Sequence, residues 1–218
     1  MEEKLLVFEY LANLFKKNGF NLYLVGGTVR DYLLKLPLDD FDVVTNATPD
    51  DMHKFLLDAS YTFEKYGSVR CIFNKTKFDI TTLRKENSYS DSRHPSKIEF
   101  CDSLEEDVLR RDFTINALYM DKEGKVYDFV DGQKDLKDKI IKMIGDPDKR
   151  IKEDPLRIIR AFRFAVSLSF FIDKPLMDAI LRNKELVKKL NPEKVNQDIK
   201  KCSNPEKLLE NLKDLDIL

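Results

Sequence analysis

Cysteine and histidine are scarce in this 218-residue chain, three and two respectively. Cys71, Cys101 and Cys202 lie far apart, make no paired framework and have no metal-ligand spacing. That excludes a disulfide scaffold and fits a reducing cytoplasm. His53 and His94 do not join them in a zinc pattern, so structural zinc is not expected. Long apolar runs are also missing: none approaches the ~18 residues that a bilayer span requires. The opening Met1-Glu2-Glu3-Lys4 is acidic and lacks a signal-peptide pattern, so export is not expected. Excess charge is absent too, at a formal net −1. This weakens the case for a nucleic-acid binder without excluding one, because a basic groove can be balanced by acids elsewhere. The chain has no internal repeat and no low-complexity segment.

What is present is ordinary for a charge-rich globular protein: 42% hydrophobic and 35% charged residues, enough for one large or two small domains. Phe8, Leu11, Ala12 and Phe15 recur at helical spacing until Asn18-Gly19 stops the pattern. A short strand, Asn21 to Val25, leads into Gly26-Gly27. A helix is predicted over Thr28 to Leu36, with Thr28 and Asp31 in capping-box spacing. Phe41 to Thr45 reads as β, and Thr48-Pro49-Asp50-Asp51 as a helix start. Tyr61 to Leu83 reads as two or three antiparallel strands with a turn near Asn74-Lys75. Arg84 to Lys97 is polar and without period, a mobile loop by pattern. Ser103 and Glu106 cap a helix running towards Arg110, and a further helix is expected from about Phe113. Short strands around Val126 and Ile141 flank an Asp131-Gly132 turn. From about Pro147 the pattern is helical, with starts at Asn191-Pro192 and Asn204-Pro205. The expectation is an α+β head, residues 1–145, and a helical second domain, residues 146–218, with the boundary near Gly145.

Three constellations carry chemistry. The first is strand, Gly26-Gly27, helix, then Asp40-Phe41-Asp42 on the next strand. Glycines let backbone approach a triphosphate, and amides at a helix start favour anions. A D-x-D on a strand projects both carboxylates to one face, where they suit Mg²⁺ and two-metal chemistry. Alone the pair also fits two surface acids; the ordered combination favours a site. Asp79, on a strand where Phe78 and Ile80 should be buried, is either a third carboxylate or a solvent-facing residue. The second is Arg110-Arg111-Asp112-Phe113, readable as a phosphate clamp or as a helix cap with solvated arginines. The third is Glu153-Asp154-Pro155-Leu156-Arg157. Asp154 caps a helix whose Arg157, Arg160 and Arg163 line a wet face, or Asp154 and Arg157 form a protein template for a base. A carboxylate accepts from an exocyclic amine while a guanidinium donates to the adjacent ring nitrogen. Cytosine and adenine present that pattern; uracil and guanine present its reverse.

These motifs, in this order, resemble the class II tRNA nucleotidyltransferase and bacterial poly(A) polymerase family. The stretches are Leu24 to Asp31, Asp40-Phe41-Asp42, Arg110 to Ala117 and Glu153 to Ala161, with Tyr127 to Gly132 similar to the family's head-to-neck link. The resemblance implies a polymerase-β-like nucleotidyltransferase head, a small mixed sheet with flanking helices, followed by an all-helical neck. It implies Mg²⁺ on Asp40 and Asp42 (with Asp79 as a further ligand), CTP and ATP as substrates, and the tRNA 3′ end as acceptor. Arg111 would bind phosphate and join the two aspartates in catalysis, Asp112 would lie near the ribose, and Asp154 and Arg157 would read the base. The implied nucleotide-binding set is Gly26, Gly27, Arg30, Arg111, Asp112, Asp154, Arg157 and Arg160. A full-length segment from Arg84 to Lys97, with Tyr89, Asp91, Arg93 and Pro95, favours CCA or A addition over CC addition alone. An A-adding enzyme, a poly(A) polymerase and a non-catalytic nucleotide-binding or RNA-binding fragment remain alternatives. Lys194 stands where the family usually has arginine. Relatives continue into body and tail domains that grip tRNA, whereas the sequence stops at Leu218, as a head-plus-neck piece or a natural short form.

Overall fold

The N-terminal apolar stripe folds as its spacing predicts. In the computed structural model, which describes residues 2–86 and 98–218, helix α1 (Glu2–Lys17) buries Phe8, Leu11, Ala12 and Phe15 and ends where Gly19 takes a φ of 89°. Strand β1 (Leu22–Val25) runs into Gly26, and helix α2 (Gly27–Leu33), strand β2 (Phe41–Thr45) and the short helix α3 (Pro49–Met52) follow. The Thr48/Asp51 capping box opens α3 as read from the sequence. The Thr28/Asp31 pair does not cap α2. Its N-cap is Gly26, while Thr28 Oγ1 accepts from Asp42 N–H at 3.0 Å and Asp31 pairs with Arg30. The long-range partner on β2 takes the hydroxyl from local capping.

Strands β3 (Ser68–Phe73) and β4 (Thr76–Thr82) form the expected hairpin. Asn74 and Lys75 both adopt positive φ, 44° and 63°, as a two-residue turn matched to strand twist requires. Strands β5 (Arg84–Glu86) and β6 (Ile98–Phe100) pair as a ribbon, so the expected loop begins in a strand; Tyr89, Asp91, Arg93 and Pro95 lie outside the described residues. Helix α4 (Leu104–Val108) is capped by Ser103, whose hydroxyl accepts from Glu106 N–H. The helix expected from Phe113 is only a 3₁₀ turn, Thr114–Asn116, because the Phe113 and Thr114 backbones are engaged by Met143 and Lys142. Strands β7 (Tyr119–Met120) and β8 (Val126–Tyr127) complete a six-stranded mixed sheet of order β3-β4-β2-β1-β7-β8. All pairings are antiparallel except β2 with β4, whose register sets Asp42 beside Asp79. Leu24, Phe41, Val43, Phe78 and Ile80 join Phe8, Leu11 and Phe15 in the core, leaving the alternate residues Asp42 and Asp79 outside it.

The remaining elements are helix α5 (Gly132–Asp138), strand β9 (Ile140–Ile141), helices α6 (Pro147–Glu153) and α7 (Leu156–Leu168), strand β10 (Phe171–Ile172), and helices α8 (Lys174–Asn183), α9 (Pro192–Lys200) and α10 (Pro205–Asp214). Asp146, Asp173, Asn191 and Asn204 cap four of these helices ahead of a proline in the first turn, each worth about 1 kcal/mol. Two compact units result. Among the described residues, the first comprises 2–86, 98–111 and 116–132; the second, 112–115 and 133–218. The expected boundary near Gly145 falls inside the second unit, because β9 pairs in parallel with β10 and packs on α7. Helix α7 is packed by α6, α9 and α10, so two of its arginines do not line a wet face: Arg157 is 5% and Arg163 9% exposed, whereas the Arg160 side chain is 35% exposed.

Candidate active site

The first unit builds its site on one backbone conformation. Gly26 sits at φ 65°, ψ −131°, a region that only glycine occupies without strain. Its N–H donates to the Leu118 carbonyl at 3.2 Å. Arg30 braces the turn: its Nη1 donates to Asn116 Oδ1 at 2.7 Å, and Nε and Nη2 donate to Asp31 at 2.8 and 2.9 Å. The Asn116 carbonyl in turn lies 3.7 Å from where a Cβ on Gly26 would stand.

Asp42 is fixed from behind by the bond from its N–H to Thr28. With Gly26, Asp79, Arg110 and Arg111 it lines a recess of about 190 Å³. Burial in this recess, and then the Asp79 carboxylate, push the Asp42 pKa up; Arg111 pulls it back. Asp40 precedes β2 and lies more open, and Lys77 Nζ contacts its carboxylate at 2.5 Å and that of Asp79 at 3.6 Å. Arg70 Nε holds the other oxygen of Asp79. Among the described residues no three His, Cys, Asp or Glu converge as metal ligands, so the carboxylates do not draw into a compact triad. Their chemistry nonetheless fits a hard divalent cation: two adjacent carboxylates repel each other, and the Lys77 ammonium bridges Asp40 and Asp79 as a counter-cation.

Behind the recess lies an anchor that sequence patterning did not single out. Asp107, at the end of α4, is 0% exposed. Its Oδ1 accepts from Arg110 Nε at 2.8 Å, and its Oδ2 from Arg111 Nη2 at 2.8 Å and the Tyr119 hydroxyl at 2.9 Å. Burial alone would raise the pKa of this carboxyl; Arg111 and Arg110 outweigh it and hold the value at about 2. Arg111 stacks over the Tyr119 ring at 5.1 Å, and burial pushes the Tyr119 hydroxyl up. The available signal was spacing, since an acid three and four residues before two arginines faces both on a helical turn.

The other predicted residues belong to the second unit. Asp112 Oδ1 accepts from Phe113 N–H, and Oδ2 is ion-paired with Arg160. Burial raises the Asp112 pKa, but Arg160, the Phe113 amide and Arg157 bring it below the ordinary carboxylate value. Asp154 Oδ1 accepts from Leu156 N–H at 3.1 Å; it ends α6, and the N-cap of α7 is Pro155, so it bonds the first turn from one residue further out than expected. Arg157 reaches the Arg150 carbonyl and lies 3.2 Å from Glu153, and Arg163 pairs with Asp198 of α9. Asp112, Asp154, Arg157 and Arg160 are thus near neighbours in charge, with Glu153 and Asp198 as counter-ions that the sequence reading missed.

The chain is similar to several known proteins. The CCA-adding enzyme of Ligilactobacillus salivarius is 43% identical over 181 residues, 83% of this chain and 45% of that protein. The Bacillus stearothermophilus CCA-adding enzyme, solved in complex with CTP, superposes with a TM-score of 0.81 at 32% identity, covering 88% of this chain and 47% of that one. A tRNA nucleotidyltransferase complexed with a primer tRNA and an incoming ATP analogue gives 0.78 at 30% identity, over 95% and 60%. The chain spans about half the length of the curated relatives it matches. Residues 22–142, which carry the Gly26 turn, Asp40, Asp42, Asp79, Arg110 and Arg111, match the poly A polymerase head domain, and the chain belongs to that family.

Proposed function

We propose that the chain is the catalytic part of a template-independent RNA nucleotidyltransferase that adds C and A to the 3′ end of tRNA from CTP and ATP, releasing pyrophosphate. One observation carries the proposal: the Gly26 turn, the Asp42/Asp79 pair and the Arg110/Arg111 pair line one recess. The relatives named as CCA-adding enzymes and the neighbours solved with CTP, an ATP analogue and primer tRNA supply the substrate class.

In this reading the Gly26-Gly27 backbone receives the triphosphate, and Arg111 neutralises its charge with a guanidinium suited to phosphate oxygens. Asp40 and Asp42, with Asp79 beside them, would hold Mg²⁺, which when bound activates the attacking hydroxyl and stabilises the leaving pyrophosphate. The raised pKa of Asp42 is consistent with a carboxylate that gains from a nearby cation. In the second unit Asp112, kept ionised by Arg160, is suited to accept from a ribose hydroxyl. Asp154, whose Oδ1 accepts from Leu156 N–H at the start of α7, is a carboxylate suited to accept from a base amine. Arg157, set by Glu153, donates to the neighbouring ring nitrogen. Among the described residues Arg160 Nε has no hydrogen-bond partner and is a further donor for a nucleotide. The residues then act by positioning and electrostatics.

The test is incubation of the 218-residue chain with Mg²⁺, tRNA ending at the discriminator base, and each nucleoside triphosphate in turn. CTP and ATP are incorporated; UTP and GTP are not. Equal use of all four overturns the base-reading roles, and ATP incorporation without CTP makes the chain an A-adding enzyme or poly(A) polymerase. Arg157→Ala narrows the preference for CTP over UTP by about 10- to 100-fold while triphosphate affinity changes less.

A further inference from the structure

We propose that Asp107 is a positioning residue for the triphosphate: without touching substrate, it fixes Arg110 and Arg111 at the wall of the recess. The inference rests on reading that recess as the triphosphate site.

The two oxygens of Asp107 divide their work. Oδ1 accepts from Arg110 Nε and from the Arg84 backbone N–H, at 2.8 and 3.2 Å. Oδ2 accepts from Arg111 Nε at 3.1 Å, from Arg111 Nη2 and from the Tyr119 hydroxyl. Every lone pair of a fully buried carboxylate is therefore directed at a donor, and two of its partners are guanidiniums only 14% exposed. Arg111 grips Asp107 through one edge of its fork, while its Nη1 comes within 4.0 Å of the Cβ position of Gly26. Two guanidiniums side by side repel each other, and a long arginine chain has many rotamers. A shared buried carboxylate offsets the repulsion and selects one rotamer for each before any ligand arrives. Only a carboxylate can do so, since an asparagine would turn an NH₂ towards one set of donors.

The test is binding of inorganic tripolyphosphate, without divalent cation, to the full chain by titration calorimetry. Asp107→Asn, Arg111→Ala and the double variant are compared with the parent, each first checked for cooperative melting. Asp107→Asn is expected to weaken binding about tenfold, as for loss of a charge-assisted bond, and Arg111→Ala at least as much. The double variant loses less than the sum of the two single losses, because only the hold on Arg110 is left for Asp107→Asn to remove, a non-additivity that general loosening of the fold would not produce. In CTP turnover, KM rises about tenfold for Asp107→Asn while kcat changes less than about threefold. Unchanged tripolyphosphate affinity in Asp107→Asn, additive losses, or a parent that does not bind tripolyphosphate overturns the proposal. Should Asp107→Asn fail to fold, Tyr119→Phe removes one donor to the same oxygen without changing charge. It is expected to alter affinity about two- to fivefold, and no change overturns the proposal. A parent that binds tripolyphosphate but does not extend tRNA overturns the tRNA reading and leaves the positioning role standing.

Discussion

Both units bury arginines, but they balance them differently. In the first unit one carboxylate, Asp107, is shared by Arg110 and Arg111, so the pair carries more positive charge than this counter-ion. In the second, the arginines of α7 meet different acids: Glu153 for Arg157, Asp112 for Arg160 and Asp198 for Arg163. A shared counter-ion sets two guanidiniums side by side, and that cluster lines the same recess as the Gly26 turn. A string of separate pairs fixes a helix in place and keeps its donors and acceptors in register. In the proposed reading the first unit's arginines serve phosphate, while in the second Arg163 frames α7 and Arg157 and Arg160 also face the nucleotide.

The sharpest way to break the contrast is to separate activity from stability. Asp42→Ala is expected to lower nucleotide transfer at least about a thousandfold, the scale of lost charge stabilisation. Its melting temperature should match the parent's or exceed it, because Asp42 and Asp79 repel each other; a full transfer rate would remove Asp42 from the site. Asp198→Ala is the opposite case. It strands Arg163 and is expected to cost about 3–5 kcal/mol in denaturant unfolding, with tripolyphosphate affinity within about twofold of the parent. A large loss of affinity would mean that the second unit's pairs also serve phosphate. Gly26→Ala should cost about 1–3 kcal/mol, since alanine is strained at φ 65°, ψ −131°, and should weaken triphosphate binding with it.

The smallest effect is in pH. Asp107 has a folded-state pKa of about 2, below the ordinary carboxylate value of about 4. An acid with a depressed pKa stabilises the fold fully above its unfolded value, and that contribution is lost as pH falls from about 4 through about 2. The difference in stability between parent and Asp107→Asn should therefore be constant near neutrality and shrink below about pH 4. Asp42 runs the other way. Its raised pKa means that its ionisation costs stability as pH rises through the folded value, so Asp42→Asn should gain most at neutral pH and nothing in acid.

Much of this molecule was legible in local sequence. The α1 stripe, the Asn74-Lys75 hairpin and the capped starts at Thr48, Ser103, Asn191 and Asn204 depend on neighbours within a few residues, and each formed as its spacing predicts. Gly26-Gly27, Asp40 and Asp42 were legible because their order along strand, turn, helix and strand is itself the signal. What failed were positions where a distant partner outcompeted a local one. Thr28 gave its hydroxyl to the backbone of Asp42 rather than to its own helix, and Phe113 and Thr114 bonded to Met143 and Lys142 rather than continuing a helix. Of the two readings of the α7 arginines, the wet face failed for Arg157 and Arg163, because periodicity records which residues share a face, not what packs against it. So the sequence by itself determined the α1 stripe, the capped helix starts, the hairpin, and the Gly26-Gly27 turn with the acids beside it. Tertiary structure alone decided that Asp42 stands beside Asp79, that Asp107 anchors Arg110 and Arg111, and that Arg157 and Arg163 of α7 are buried. The physical reason is range: caps and turns are settled within a few residues, whereas a buried charge takes its state from whichever counter-ion the completed fold brings to it.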